Sequence, residues 1–488
     1  MDYLILLPTV AAFLLGAGVV YQSMDDIKKL NNYAVLSTVL VSLTAAVTLV
    51  SMSGENVTLF RFNDLLKISF KIDGLSTVFG AMVSFLWPLA VIYATEYMKH
   101  EGKQKKFFTF YIMTFGVTLA IAFSANMLTL YLCYELLTFI TLPLVMHTTD
   151  DRSAYAGKKY LVYSVSGASL AFVGMMIVLV NGGSLDFTYG GIGTLTADNT
   201  ILLAYLMMFA GFGVKAAIFP LHGWLPGASV APTTVTALLH AVAVVKAGVF
   251  AIMRATYYLF GTQVLSGTWA QNVVMSIAII TICFGSWMAL RSKHFKRRLA
   301  YSTVSQLSYI LLGVTIMTPA GFAGALSHML FHALMKIVLF YTAGSVLYMN
   351  HKEYIRDIEG YGQKMPKTFF CFTVCSLALI GVPPLAGFFS KFSIATAAAA
   401  LGNKIGFIGI CALMFSALFT AMYLLQIVVL AYLPHKDFDY GRLTKVKEAP
   451  KSMTMPVVVI TTAMVVLSLF SKPLFTFFEL VQKEVFNI

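Results

Sequence analysis

The sequence predicts an all-α polytopic membrane protein with about fourteen transmembrane helices. Of its 488 residues, 59% are hydrophobic and only 11% are charged, whereas a soluble globular protein carries about 25% charged residues. Apolar runs of about 18 or more residues, the length that a membrane-spanning helix needs, recur along the chain. Because these runs are continuous and do not alternate with polar residues, we expect helices and not the strands of a barrel.

The predicted spans follow one another closely, and we number them 1 to 14 in chain order. They are expected near residues 3–21, 33–52, 74–97, 108–124, 126–147, 160–181, 201–229, 233–258, 270–290, 297–318, 322–349, 366–400, 403–433 and 452–480.

The basic residues predict how these spans cross the membrane. Of the 34 Lys and Arg, 23 lie in the loops that follow odd-numbered spans, seven lie on the opposite side and four lie inside spans. The positive-inside rule therefore places the loops after odd-numbered spans in the cytoplasm and both termini outside a multi-pass plasma-membrane protein. Topology accounts for the basic loops, so the net charge of +13 does not indicate nucleic-acid binding.

Five charged side chains lie deep inside predicted spans. They are one glutamate, Glu135, and the four lysines Lys215, Lys246, Lys336 and Lys391. Each costs about 2.5–3.5 kcal/mol to insert, so an intramembrane ionisable residue indicates a functional site. One carboxylate cannot pair with four lysines, so we expect some lysines to lose and regain a proton. The alternative is that each lysine makes a static pair or extends to the membrane surface, and Lys391 fits that alternative best.

Span 11 adds two histidines to this set in the segment "SHMLFHALMKIVLF". His328, His332 and Lys336 follow at intervals of four residues, which places them on one face of a helix. Histidine is suited to proton relay because its ordinary pKa is near 6.5. Two other interpretations remain: a zinc site, for which no third ligand is evident, and buried histidines with a purely structural role. His240, in "ALLHAVAVVKAG", precedes Lys246 by six residues and is a further relay candidate.

Two spans are predicted to be broken. Span 7 contains Pro220 and Pro226, and span 12 contains Pro383 and Pro384; proline removes a backbone donor and disrupts the preceding turn. Each break is accompanied by one of the intramembrane lysines, and the two breaks lie five spans apart. This pattern is typical of structural repeats whose broken helices build ion sites near the membrane midplane.

An odd number of helices in each repeat makes the second repeat inverted. The chain is thereby divided into four parts. These are spans 1–3 in residues 1–107, the first five-helix repeat in 108–258, the second in 259–433, and the last loop with span 14 in 434–488.

Several segments resemble a known family over about residues 70–435: the antiporter-like membrane subunits of respiratory complex I, the D-type subunit of Mrp sodium/proton antiporters and the related subunits of membrane-bound hydrogenases. The segments are "NMLTLYLCYELLTFITLPLV", "GVKAAIFPLHGWLPGASVAPTTVTALLHA", "KRRLAYSTVSQLSYILLG" and "HALMKIVLFYTAG". The resemblance implies fourteen helices, two inverted five-helix repeats and broken helices 7 and 12.

The resemblance also implies roles for individual residues. Glu135 corresponds to the family's span 5 glutamate, and Lys215 to the span 7 lysine with which it pairs. Lys246 corresponds to the span 8 lysine of the central polar axis. The span 11 triplet matches the family's relay positions, and Lys391 matches the terminal group on span 12, where some complex I members carry glutamate.

These observations favour a proton-translocating subunit of a multi-subunit ion-pumping complex. Its expected partners are other membrane subunits, and its driving force is either a redox arm with Fe–S, hydrogenase or dehydrogenase subunits or, in an Mrp-type antiporter, a sodium gradient. The chain carries no Fe–S cysteine pattern, flavin motif or nucleotide motif, so we expect no cofactor, metal or redox centre in it. Whether it serves an enzyme complex stays open. The alternatives are a stand-alone transporter of an organic solute and a structural membrane anchor.

Overall fold

The fold is built from helices, with one β-hairpin. The structure, a computed structural model, describes residues 2–22 and 26–488. The helices of the first half are α1 Leu7–Gly18, α2 Ile27–Ser51, α3 Gly74–Glu101, α4 Gln104–Ala122, α5 Met127–Val145, α6 Asp151–Gly182, α7 Asn199–Lys215, α8 Trp224–Gly227, α9 Thr233–Ala241, α10 Val244–Arg254 and α11 Thr262–Leu265. Those of the second half are α12 Trp269–Arg291, α13 Phe295–Thr315, α14 Pro319–Asn350, α15 Tyr361–Lys364, α16 Pro366–Ile380, α17 Ala386–Ala400, α18 Lys404–Tyr432, α19 Lys451–Leu469 and α20 Lys472–Phe486.

These helices confirm the all-helical membrane class. Within residues 2–22 and 26–488, eleven helical segments are long and apolar enough to cross a membrane. Helices α7 and α16 are apolar but shorter, so the count of fourteen stays a prediction. The segment Thr233–Phe260 is wholly surrounded by protein, and α14 is 89% buried over its most apolar part. Spans 8 and 11 therefore form the centre of the molecule.

The predicted loops gather on two opposite faces. The backbone N–H of Phe295 donates to the Glu353 carbonyl at 2.8 Å, and that of Lys367 donates to the Glu448 carboxylate at 2.8 Å. These contacts join loops that follow spans 9, 11 and 13. The basic loops therefore share one side of the protein, which we call the basic face.

The opposite side carries the β-hairpin, and we call it the hairpin face. Strands β1 Asn56–Arg61 and β2 Lys67–Lys71 pair antiparallel with a bulge between Thr58 and Phe60. Beside the hairpin, Arg254 at the end of α10 donates two hydrogen bonds to the carboxylate of Asp73, at 2.5 and 2.9 Å. Asp73 also caps α3, so this buried ion pair ties spans 3 and 8 together.

Both predicted helix breaks are confirmed. Helix α7 ends at Lys215, and the chain runs without regular helix to α8, with Pro220 in that stretch and Pro226 inside α8. In span 12, Pro383 and Pro384 lie between α16 and α17. Gly381, which follows α16, has φ of 100°, a left-handed conformation that glycine adopts without steric cost.

Two predicted spans differ from single continuous helices. In span 8, the N–H groups of Val242 and Ala243 both donate to the Leu238 carbonyl. One residue is thereby inserted into the helical ladder, and span 8 divides into α9 and α10. In span 14, α19 ends at Leu469 and a separate helix follows, with Phe478, Val481 and Val485 on its buried side.

Candidate functional site: a buried row of ionisable groups

The predicted intramembrane residues lie along the centre of the protein on five spans. The residues with no exposed surface are Lys215, His240, Lys246, His328, His332 and Lys336. Glu135 on α5 and Lys391 on α17 are partly exposed. The structure thus brings the sequence-predicted residues into one row, which we call the buried row, and in each of spans 7, 8, 11 and 12 a lysine or histidine bonds to a specific neighbour.

At one end of the row, Lys215 is held by the break in span 7. It is the last residue of α7, and its Nζ donates to the carbonyl of Tyr134 on α5. The ammonium also lies 3.4 Å from the centre of the Tyr134 ring, an attractive cation–π arrangement. Gly248 on α10 allows close packing here, because a Cβ at this position would lie 2.6 Å from the nitrogen of Ala216.

Glu135 is next to this lysine but does not form a direct ion pair with it. Among the described residues, no nitrogen of Lys215 lies within 4.0 Å of a Glu135 oxygen, and the buried Glu135 Oε1 has no hydrogen-bond partner. The lysine is bonded instead to the carbonyl of the residue that precedes the glutamate. The resemblance implied an ion pair between Glu135 and Lys215. In the structure the two side chains are adjacent but do not form this pair.

The middle of the row joins spans 8 and 11. Lys246 Nζ and His332 Nδ1 are 2.9 Å apart, and Lys336 Nζ donates to the Leu299 carbonyl of α13 at 3.0 Å. In the part of the chain that the structure describes, His332 Nε2 lacks a hydrogen-bond partner. The ring nitrogen of a neutral histidine that carries no hydrogen can accept a proton.

The far end of the row joins spans 10, 11 and 12. His328 Nδ1 is 2.9 Å from Ser390 Oγ, and its Nε2 is 3.2 Å from Gln306 Oε1. The Tyr309 ring lies between His328, with centroids 5.5 Å apart, and Lys391, whose Nζ is 4.8 Å from the ring centre. Lys391 Nζ also donates to the carbonyl of Leu379 at 2.6 Å.

Sequence reasoning missed the neutral members of the site. Tyr134, Gln306, Tyr309 and Ser390 make the contacts that fix the charged groups. Gln306 and Tyr309 fall one turn apart on α13 and Ser390 precedes Lys391, so a search for polar side chains on the spans themselves could have found them. No pattern within one span shows which side chain of another span it meets.

A cavity of about 860 Å³ opens on the basic face beside the break in span 7. Its lining includes Pro226 and Ser229 from the break, and Lys296 and Glu353 from the second half of the chain. Over residues 2–22 and 26–488, no three His, Cys, Asp or Glu side chains are grouped so that they could hold a metal ion. The chemistry that the row can perform is the transfer of protons between neighbouring bases and acids.

The fold and the site together define the class of this protein: a multi-pass membrane protein with two broken helices and a buried row of ionisable groups. Residues 124–420 match the family model described as NADH:quinone oxidoreductase/Mrp antiporter, TM, and residues 62–108 match that of the complex I chain 5 N-terminus. The chain belongs to this NADH:quinone oxidoreductase and Mrp antiporter family. The resemblance found in the sequence is thereby confirmed.

Individual relatives agree with the family models. NADH-quinone oxidoreductase subunit L of Mycobacterium tuberculosis is 33% identical over 404 residues, which is 81% of this chain and 62% of the relative. Subunit N of Desulforudis audaxviator is 30% identical over 420 residues, covering 83% of this chain and 82% of the relative. The chain thus spans under two thirds of the length of the subunit L protein and most of the subunit N protein.

A solved structure shares the fold. A chain of the archaeal membrane-bound sulfane sulfur reductase, described as a respiratory membrane complex, superposes with a TM-score of 0.87 and 22% identity. The match covers 99% of this chain and 97% of the other. At this identity the likeness establishes the fold alone.

Proposed function

We propose that the protein is the proton-translocating, antiporter-like subunit of a multi-subunit ion-pumping complex. The observation that carries the proposal is the row from Lys215 to Lys391, which combines lysines and histidines on spans 7, 8, 11 and 12. A solute transporter would need a binding constellation at the helix breaks, whereas both breaks here are occupied by a lysine bonded to backbone carbonyls.

Protons enter beside spans 7 and 8 from the cavity on the basic face and move along Lys215, Lys246, the span 11 face and Lys391. They leave through the second half of the chain. The contact between Lys246 and His332 supports the step from span 8 to span 11, because 2.9 Å is short enough for direct proton transfer. His328 and the Tyr309 ring continue the row toward Lys391.

Glu135 controls Lys215 in this proposal. An adjacent carboxylate favours the charged lysine, and separation of the two groups favours release of the proton. The unpaired Glu135 oxygen and the carbonyl bond of Lys215 correspond to the separated arrangement. A shift of α7 relative to α5 at the break would bring the two groups into contact.

The orientation and organisation are also proposals. The basic face is cytoplasmic, both termini lie outside, and the membrane is the plasma membrane. Residues 108–258 and 259–433 form inverted repeats, each carrying one half-channel. The equivalent placement of the two breaks, five spans apart, supports this division.

The partners are further membrane subunits of the same complex, and energy comes either from a redox arm or from a sodium gradient. Purification of the intact complex and identification of its chains distinguishes the two. Fe–S or hydrogenase subunits identify a redox pump, and small membrane subunits alone identify an Mrp-type antiporter.

Substitution of the two residues at the proposed switch tests the mechanism. Glu135→Ala and Lys215→Ala are each expected to abolish proton transport by the reconstituted complex, measured with a pH-sensitive dye in vesicles, while co-purification of the other subunits persists. Lys404→Ala, at an exposed lysine that begins α18, is the matched control. Normal transport by either site variant would disprove the mechanism.

A further inference from the structure

One buried lysine is not used by the row described above. Lys296 is the second residue of α13 and lies just ahead of the predicted span 297–318. Only 6% of the residue is exposed, although its side chain lines the cavity on the basic face. Its Nζ donates to the carbonyl of Ala231 at 3.2 Å, so it joins the end of the span 7 break to the second half of the chain.

We propose that Lys296 carries protons from the basic-face cavity to His240 and Lys336, in the middle of the buried row. This inference rests on the proposed function, and it adds a connection from the cavity to the middle of the row. Protons from the cavity then reach the centre of the row through Lys296, and the switch at Glu135 and Lys215 still controls transport along the row.

The surroundings of Lys296 suit a proton carrier. Burial lowers the pKa of Lys296 to about 8, and the nearby carboxylates of Glu353 and Glu101 oppose that shift. His294, whose pKa burial lowers, lies 3.4 Å from Glu353. The same cavity also carries the charged side chains of Asp150, Asp151, Arg152, Lys159 and Arg297. At neutral pH the ammonium is formed from cavity water, and its pKa is low enough for the proton to be given up.

On the inner side, α13 packs against α9 and α14, the helices that carry the proposed acceptors. His240 is fully buried on α9, which begins two residues after Ala231, the residue whose carbonyl binds Lys296. Lys336 is bonded to Leu299, which follows Lys296 by three residues, about one turn of α13. Both lysines are therefore tied to the same end of α13, Lys296 through its own backbone and Lys336 through the hydrogen bond of its head group.

The transfer balances as one proton per step. The Lys296 ammonium gives a proton to a neutral ring nitrogen of His240, directly or through one water, and becomes an amine. One proton from bulk solvent, delivered through water in the cavity, then restores the ammonium. The imidazolium passes its proton to the amine form of Lys336 or Lys246 and returns to the neutral ring.

Substitutions at Lys296 show whether this residue carries protons or only holds two parts of the chain together. Arginine keeps the positive charge and can keep the bond to Ala231, but it does not release a proton at accessible pH. We expect Lys296→Arg and Lys296→Gln each to lower proton transport by the intact complex at least about tenfold. Arg297→Gln, the neighbouring position that also lines the cavity, is the matched control and is expected to transport normally.

The pH profile provides a second measurement that does not depend on assembly of a variant. Transport by the native complex is expected to fall as the pH on the basic side rises through about 8. Lys296→His is expected to retain partial transport, with the fall moved toward about pH 6.5. Native transport that stays constant between pH 7 and 9 would overturn the proposal, as would normal transport by Lys296→Arg.

The outcome for Lys215→Ala distinguishes the two proposals. If that variant is inactive and both Lys296→Arg and Lys296→Gln transport normally, only the carrier role is wrong. If Lys215→Ala itself transports normally, the proposed function is wrong.

Discussion

Gly248→Ala tests whether the close approach of α10 to the span 7 break holds the row in place. A methyl group at Gly248 would lie 2.6 Å from Ala216 N, 2.9 Å from the Lys215 carbonyl carbon and 3.0 Å from Lys215 Cβ. Ordinary contacts begin at 3.4 Å, so α10 must withdraw by about 0.8 Å at the closest point. Two of the three atoms it meets are backbone atoms, which cannot rotate away.

The expected magnitude follows from two opposing effects. Overpacking costs about 1–3 kcal/mol, and replacing a helical glycine with alanine returns about 0.5–1 kcal/mol. We expect a net loss of about 0–2.5 kcal/mol in unfolding free energy. Because a shift of about 1 Å at a reacting group can lower a rate about 100-fold, transport should fall more than stability does.

Two assays on the purified complex check this prediction: the midpoint of thermal unfolding in detergent, and proton transport in vesicles. Gly227→Ala is the matched control, since a Cβ there would have its nearest neighbour, Lys159 Cδ, at 4.0 Å. If Gly248→Ala matches Gly227→Ala in both assays, the close approach is not needed and the reasoning is refuted.

Two further substitutions test separate contacts. His332→Leu removes the partner of Lys246. Loss of this buried hydrogen bond should lower the unfolding free energy by about 1–3 kcal/mol and should lower proton transport in vesicles. Unchanged transport would show that His332 is not part of the proton path. Asp73→Ala leaves Arg254 buried and unpaired and should lower the unfolding free energy by about 3–5 kcal/mol. Lys67→Ala, which breaks a more exposed ion pair, should cost under about 1 kcal/mol in the same thermal unfolding measurement, and equal losses would contradict this assignment.

The charged residues and the breaks in spans 7 and 12 could be predicted because their signals are local. A lysine in an apolar run and a proline in a span are visible in the sequence alone. The insertion at Val242 and Ala243 has no such signal, since neither residue disfavours a helix as proline does. The separate helix α20 did have a local signal in the sequence. Pro473 follows the end of α19, and because proline lacks an N–H it favours the start of a new helix.

The partners of the charged groups could not be predicted from the sequence. Lys246 contacts His332, 86 residues away, and Lys215 contacts the backbone of Tyr134, 81 residues away. These contacts depend on how the spans pack. Every residue has a backbone carbonyl, so the sequence does not show which carbonyl accepts the hydrogen bond of a given lysine.

The carbonyl bonds of the lysines have a consequence for the energetics of a transport cycle. Lys215, Lys296, Lys336 and Lys391 each donate to a backbone carbonyl. An ammonium has three N–H donors, and the neutral amine keeps two of them. Each head group can therefore retain its tether after its proton has gone, which an ion pair to a carboxylate would not allow. In the proposed cycle, these four lysines can therefore release and regain a proton without a change in the position of their side chains.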